Sequence, residues 1–164
     1  MYIAQFLHSY VEDRKRKPNA VGTGIMFRAS DWKLVVDIGK RLHFPSDISC
    51  TSLRPDIVII SRNSKTIIIA ELTVPWEENI AERHEYKRSK YQDLVDEIAS
   101  KHWKVSFFAI EVGARGFPAK SLRVMFRQIG LSPSITKKAC NACGSTAEDA
   151  SRWLWLKRSE SWVS

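Results

Sequence analysis

Residues 54–77 read RPDIVIISRNSKTIIIAELTVPWE, two runs of apolar β-formers on either side of a polar RNSK turn. Each run carries one acid, Asp56 at the start of the first and Glu71 at the end of the second. Ile57 to Ile60 and Ile67 to Ala70 are apolar at successive positions, so both faces of such strands need cover from water. If RNSK forms a four-residue loop, Ser61 pairs with Thr66, and counting back sets Asp56 opposite Glu71. Directly paired residues share a face, with Cβ atoms about 5 Å apart. Two carboxylates that close, with little water, must share a proton or meet a cation. The bland alternative leaves both acids at strand ends, solvated or paired with Arg54 and another base.

The segments around this hairpin predict an α/β domain on a mixed sheet flanked by helices. IAQFLHSYVEDRKRK places Ile3, Leu7, Tyr10 and Val11 on one helical stripe, and PNAVGTG follows as a connector. DWKLVVDIG reads as a strand closed by Gly39. Pro75 ends the second hairpin strand, and an amphipathic helix runs from about Glu77 to Lys101. WKVSFFAIEVGARG is the next strand and AKSLRVMFRQIG a shorter helix stopped by Gly130. LSPSITKKACNACG reads as a loop. Ser145 with Glu148 makes a capping box for a last helix, TAEDASRWLWLKR. The expected order is helix, three strands, helix, strand, then C-terminal helices. Residues 1–130 form the expected core, and residues 131–164 a basic, Trp-rich extension packed on or next to it.

Charge is uneven along the chain. Residues 115–164 hold nine Lys/Arg against three Asp/Glu, a net +6, whereas the first 114 hold seventeen against fifteen, a net +2. A basic end on a near-neutral body fits a polyanionic partner, although a merely soluble basic surface accounts for the charge equally well. Three cysteines are too few for a disulfide framework, which points to a reducing, intracellular compartment. No apolar run approaches the roughly 18 residues of a membrane span. The N-terminal residues show neither a basic leader nor a small-residue cleavage site, so no secretory signal is expected.

The helix after the hairpin carries its own signal. At about 100° per residue, Ile80, His84, Lys87, Tyr91, Leu94, Val95 and Ile98 fall on one stripe. Lys87 lies near the centre of that stripe, among residues that should face the sheet; Lys90 lies at its margin. A lysine so placed either snorkels to an edge or answers an anionic centre. Two carboxylates and a lysine beside an oxygen-seeking divalent ion suit phosphodiester hydrolysis. The ion neutralises the scissile phosphate and acidifies water, and the lysine orients that water or meets the added charge of the transition state.

These residues resemble a known family. RPD, fourteen residues and then ELT resembles the PD-(D/E)xK nuclease fold of restriction enzymes, whose core order is helix, three strands, helix, strand. More closely, LRPDIVII followed by AELTVPWEENIAERHEYKRSKY is similar to the restriction-like endonuclease domain of non-LTR retrotransposon polyproteins, where it follows a reverse transcriptase. The resemblance covers about Asp31 to Phe117, with a fainter continuation in ASRWLWLKR. It implies that Asp56 and Glu71 are metal-binding acids for Mg²⁺ or Mn²⁺, with the Leu72 carbonyl a further ligand. The third motif position is Thr73 rather than lysine. In the retrotransposon branch the lysine has moved to the following helix, which matches Lys87, or Lys90 as the alternate. An additional acid from the first helix or strand would be Glu12 or Asp37. The family's zinc knuckle and reverse transcriptase have no counterpart in these residues, which implies a fragment or domesticated remnant of a longer polyprotein.

The implied partner is DNA, or RNA/DNA intermediates, with no membrane and no small-molecule cofactor, in the nucleus if the target is a eukaryotic genome. Arg54, Arg115, Arg152, Lys157 and Arg158 are candidate phosphate contacts and Trp155 a candidate stacking residue, with Trp153 expected to pack and Trp162 beyond it. Glu111 could flank the site or simply end its strand. Cys140 and Cys143 have half a zinc site's spacing, which Cys50 and His43 could complete only by coincidence of fold; ordinary loop cysteines are the simpler expectation. Two rivals stay open: the same fold as a non-catalytic nucleic-acid-binding module, for which Thr73 speaks, and a protein-interaction domain using its aromatic tail.

Overall fold

The computed structural model describes residues 2–160. Helix α1 (Tyr2–Arg16) is followed by a short 3-10 turn (Ile25–Arg28) and strands β1 (Lys33–Val36), β2 (Ile57–Ser61) and β3 (Thr66–Thr73). A second 3-10 turn (Glu77–Asn79) leads into α2 (Ile80–Ser100), then β4 (Lys104–Glu111), α3 (Lys120–Ile129) and α4 (Pro133–Glu160). The strands form one mixed sheet in the order β1-β2-β3-β4. The first three are antiparallel neighbours, and β4 runs parallel to β3. A parallel return needs a crossover, and α2 is that crossover. The molecule is thus a mixed α/β domain with helices on both faces of the sheet.

Both faces of the hairpin are covered, as its unbroken apolar runs require. Every residue of β2 is buried, as are Thr66 to Glu71 of β3. Ile57, Ile59, Ile68 and Ala70 join a core with Leu7 and Val11 of α1, Leu122 and Phe126 of α3, and the first half of α4. Val58, Ile60, Ile67 and Ile69 join the opposite core, built on Tyr91, Leu94 and Ile98 of α2 and on Leu42, Phe44 and Ile48 of the loop after β1. The turn is held from outside: Ser61 Oγ and the Asn63 N–H donate to the two carboxylate oxygens of Asp31, at 2.5 and 3.0 Å. Ser61 pairs with Thr66, which is the register expected from a four-residue loop.

The stretch from Leu131 to Gly144 is not a loop. From Pro133 onward it is helix, and the helix continues without interruption through Ser145, which is therefore no N-cap. Pro133 stands at the first position, where a missing N–H costs nothing. Ala139, Cys140, Cys143 and Ala147 form the buried stripe, made of residues too small to give a strong hydrophobic pattern. Gly144 looks like a helix stop, but it lies against the backbone of Gly116, where a side chain would collide. Among the described residues no helix is long and apolar enough to cross a membrane.

Gly130 ends α3 in a left-handed conformation with φ of 118°. A Cβ there would meet the Phe27 ring and the Thr23 carbonyl oxygen, both at 2.8 Å. Gly130→Ala is therefore expected to destabilise the fold by more than about 1 kcal/mol in urea unfolding, since strain and collision act together.

Candidate active site

The hairpin register carries on past its last strand pair. Ile57 opposes Ala70 at the end of the ladder, and carrying that register one residue outward sets Asp56 opposite Glu71. Both acids stand on the face covered by α2. They are tied through the main chain: the Asp56 N–H donates to Glu71 Oε2 at 3.3 Å, and the Leu72 N–H donates to Asp56 Oδ2 at 2.7 Å.

Helix α2 supplies the positive charge. Lys87 Nζ donates to Glu71 Oε1 at 2.5 Å, with the lysine side chain 19% exposed and the glutamate 6%. One turn on, the Tyr91 hydroxyl donates to Glu71 Oε2 at 2.9 Å. Burial, then the Glu71 charge, raises the Tyr91 pKa, so the phenol stays neutral and remains a donor. Its ring stacks on Phe107 of β4, with centroids 5.1 Å apart, which fixes the hydroxyl. Lys90 is exposed and lies over the Tyr91 ring at 5.2 Å, on the outer side of the helix. Of the two lysines, the one at the stripe centre reaches the acids.

Asp56 is pushed above the usual aspartate range, chiefly by burial, and further by the charges of Glu71 and Asp37. The Leu72 N–H and Lys87 oppose that rise. Asp37, just past β1, is bound in place: its N–H donates to the Asp56 carbonyl and its Oδ1 accepts from the Leu42 N–H, both at 2.8 Å. Glu12 takes no part. It sits on α1, whose apolar stripe packs on the opposite face, and it pairs with Lys15 at 2.7 Å. Of the two candidates for an added acid, Asp37 is the one at the end of the strand beside Asp56, joined to it through the main chain.

Pro55 explains a further feature. Lys104 N–H donates to the Lys65 carbonyl and Val112 N–H to the Thr73 carbonyl, so odd-numbered residues of this strand turn their main chain to β4. Even-numbered Leu72 therefore turns its main chain toward β2, and carrying the register two residues past Ile57–Ala70 brings Pro55 opposite it, which has no N–H to offer. The Leu72 N–H goes to Asp56 Oδ2 instead.

Among the described residues no three His, Cys, Asp or Glu side chains cluster as a metal site by themselves. An ion here would rest on the Asp56 and Glu71 carboxylates, the Leu72 carbonyl and water. That is a hard, all-oxygen set, and one or two carboxylates with several waters are what Mg²⁺ ordinarily takes. Asp56 and Glu71 face a single lysine, Lys87, and a divalent cation would offset the second acid. Thr73, at the position of the motif lysine, has its Oγ1 buried with no hydrogen-bond partner among the described residues.

Beside Thr73 in the sheet stands Glu111, buried to 1%. His84 Nδ1 lies 3.1 Å from both its carboxylate oxygens, and Ser121 Oγ donates to Oε2 at 2.6 Å. Glu111 thus ends its strand inside a fixed polar cluster that flanks the acids along the sheet. Nothing in the sequence pairs Glu111 with His84, 27 positions apart, although His84 does fall on the same stripe as Lys87.

The remaining candidates lie on the rim. Arg54 is exposed and donates to the Lys40 carbonyl at 2.6 Å. Arg115 reaches Glu77 and Glu78 at 3.5 and 4.0 Å and lies 5.5 Å over the Trp76 ring. Arg152, Trp155, Lys157 and Arg158 are exposed on the distal half of α4. Trp153 is not packing: it is 58% exposed, with Lys157 Nζ 5.7 Å over its ring. Trp162 lies outside the described residues. Cys140 and Cys143 are core side chains of a helix, where burial pushes the Cys143 thiol up to about 12. Cys50 and His43 are exposed in the loop on the other face, so these four do not form a site.

Compared with protein-family models and with curated proteins, the chain finds no match in either.

A carboxyl raised in the folded state binds its proton more tightly there, so its contribution to stability falls as pH rises from the ordinary aspartate value of 3.8 through the raised one. Relative to the parent, Asp56→Asn should therefore gain stability as pH rises across that window. Mg²⁺ or Mn²⁺ should stabilise the parent, by about 2.7 kcal/mol at a hundredfold excess over its dissociation constant, and leave Asp56→Asn nearly unchanged. Thermal melts across pH, with and without the ion, measure both.

Proposed function

We propose that this chain is a metal-dependent DNA endonuclease or nickase of the PD-(D/E)xK class, related to the nuclease domains of non-LTR retrotransposons. The observation that carries the proposal is the Asp56–Glu71 pair, opposed in register and contacted by Lys87 from the neighbouring helix. A structural ion pair would need one acid and one base. Here a second acid, Asp56, is kept half-buried with its charge disfavoured, an arrangement that stores affinity for a cation.

A bound Mg²⁺ or Mn²⁺ would supply charge neutralisation at the scissile phosphate and a more acidic water. The residues of the chain do the rest. The Leu72 N–H holds Asp56, and the Tyr91 hydroxyl holds Glu71, so neither carboxylate has to reorganise during reaction. Lys87 bonds Glu71 while no phosphate is near; with substrate in place its ammonium can turn to a non-bridging phosphate oxygen or to the attacking water. Hydrolysis forms one bond from the water oxygen to phosphorus and breaks one ester P–O bond, and the charge that develops falls beside Lys87. Thr73 shares the face of Glu71 and adds a hydroxyl, which suits orienting a water but supplies no charge.

Supercoiled plasmid with Mn²⁺ or Mg²⁺ tests this reading. The parent and Lys90→Ala should nick it, whereas Asp56→Ala and Lys87→Ala should each lose about a hundredfold or more in rate. Nicking that survives both losses would refute the assignment of these residues. Absence of nicking by the parent, with DNA still bound, would favour the non-catalytic binding module.

A further inference from the structure

The sheet has two edges. At one, β1 is only four residues long, and a short edge strand is a poor template for pairing. At the other, β4 has eight residues and no strand beyond it. The parity of the β3–β4 ladder shows which of its groups face out. Lys104 and Val112 donate their N–H groups to β3, so the even-numbered residues between them also turn their main chain inward. Odd-numbered Val105, Phe107, Ala109 and Glu111 turn theirs outward. Glu111 is capped there: its N–H donates to Ser121 Oγ at 3.2 Å, and its carbonyl accepts the Ala119 N–H at 3.1 Å. The outward N–H and C=O groups of Val105, Phe107 and Ala109 have no partner among the described residues. Phe107 and Ala109 line a cavity of about 380 Å³, with Arg88 of α2 and Gln128 of α3 at its walls.

Donors and acceptors that repeat every second residue are matched by another extended main chain. The charge of α2 selects whose chain it is. Tyr91 stacks on Phe107, so the middle of α2 lies over the middle of the open edge. Residues 80–90 of the helix hold four Lys/Arg against two Asp/Glu, whereas residues 91–100 hold three Asp/Glu and no Lys/Arg. A second α2 laid antiparallel beside the first sets basic half against acidic half; laid parallel, like halves would repel. Arg88, Gln92 and Asp96 are exposed and follow at four-residue spacing, which keeps them on one side of the helix. Arg88 reaches Glu85 at 3.8 Å, a long contact between exposed side chains that contributes little.

We infer that two copies of this chain pair through the outer edge of β4, antiparallel and about a twofold axis at Phe107. Val105 then faces Ala109 of the second copy and Phe107 faces its own equivalent, each pair exchanging N–H···O=C bonds. The same three residues serve both copies, so the contact closes on itself and stops at a dimer. The two sheets become one, α2 lies beside its copy, and each Arg88 meets an Asp96. This pairing does not depend on the nuclease reading.

The test is sedimentation equilibrium of the full chain over a concentration series, with neither metal nor DNA present. A reversible dimer is expected, its mass tending to twice the 18.8 kDa of one chain. Arg88→Glu sets acid beside acid and should weaken the dimer about tenfold or more. Adding Asp96→Arg to that variant reverses both members of the pair and should return the dissociation constant to within about threefold of the parent's. Val105→Pro removes an outward N–H but no bond to β3, and should weaken pairing about tenfold. Lys33→Glu, on the opposite edge, should change it by less than about twofold. Thermal melts establish that each variant is folded, and the charge variants carry the test if Val105→Pro is not. A parent that stays monomeric at every concentration would overturn the inference. So would a dimer indifferent to Arg88→Glu, or a double variant that fails to recover.

Discussion

Two like charges placed opposite one another at the end of a buried hairpin set the main constraint on this molecule. Asp56 and Glu71 lie where Ile-rich strands leave the core, close enough that one carboxylate accepts the other residue's N–H. Such a pair persists only if its surroundings answer the charge. Lys87 and Tyr91 do so from α2, and each depends on the seating of that helix by Leu94 and Ile98. A shift of the helix by one residue would turn Lys87 away and leave a buried glutamate without a cation, a loss that commonly costs about 3–5 kcal/mol. The geometry of the acid pair and the core packing are therefore coupled through a single helix.

The parallel pairing of β3 with β4 gives that helix its place. Because the return to a parallel strand must cross over the sheet, α2 begins beside the end of β3 where the acids stand and runs back over the apolar face. Its earlier turns meet Glu71 and Glu111, and Leu94 and Ile98 of its last turns join the apolar core. His84, Lys87 and Tyr91 are polar inward residues of its first twelve positions, and each bonds a carboxylate on the sheet. The opposite face of the sheet, under α1, α3 and α4, is almost wholly apolar. This asymmetry gathers the buried carboxylates and their partners on one face and leaves the other to apolar packing. It also explains why Glu12, on α1, has no part in the site.

Helix α4 divides in the same way along its length. Its first half supplies small side chains to the core, while its second half carries tryptophan and basic residues into solvent. Close packing against Gly116 needs Gly144 in mid-helix, a position where intrinsic helix preference argues for a stop. Tertiary contact overrides that preference here, since a continuous helix buries Cys140, Cys143 and Ala147 together.

The hairpin, its register and the facing of its two acids were legible in the residues alone, because side-chain direction in a strand repeats every two positions and a four-residue turn leaves one pairing. Lys87 was legible for a similar reason: helical periodicity puts it in the middle of an inward stripe. Periodicity could not show which atoms meet across the interface. That Tyr91 shares Glu71 with Lys87, that Asp37 rather than Glu12 joins Asp56, and that Glu111 finds His84 and Ser121 all depend on how distant elements pack. Small-residue stripes such as Ala139, Cys140 and Cys143 give little hydrophobic contrast, so the fate of residues 133–144 rested on contact as well. Local sequence determined the strands, the turn and the inward faces, which are matters of backbone geometry and burial. Tertiary structure decided the partners, because charge and hydrogen bonding are settled by distance through space.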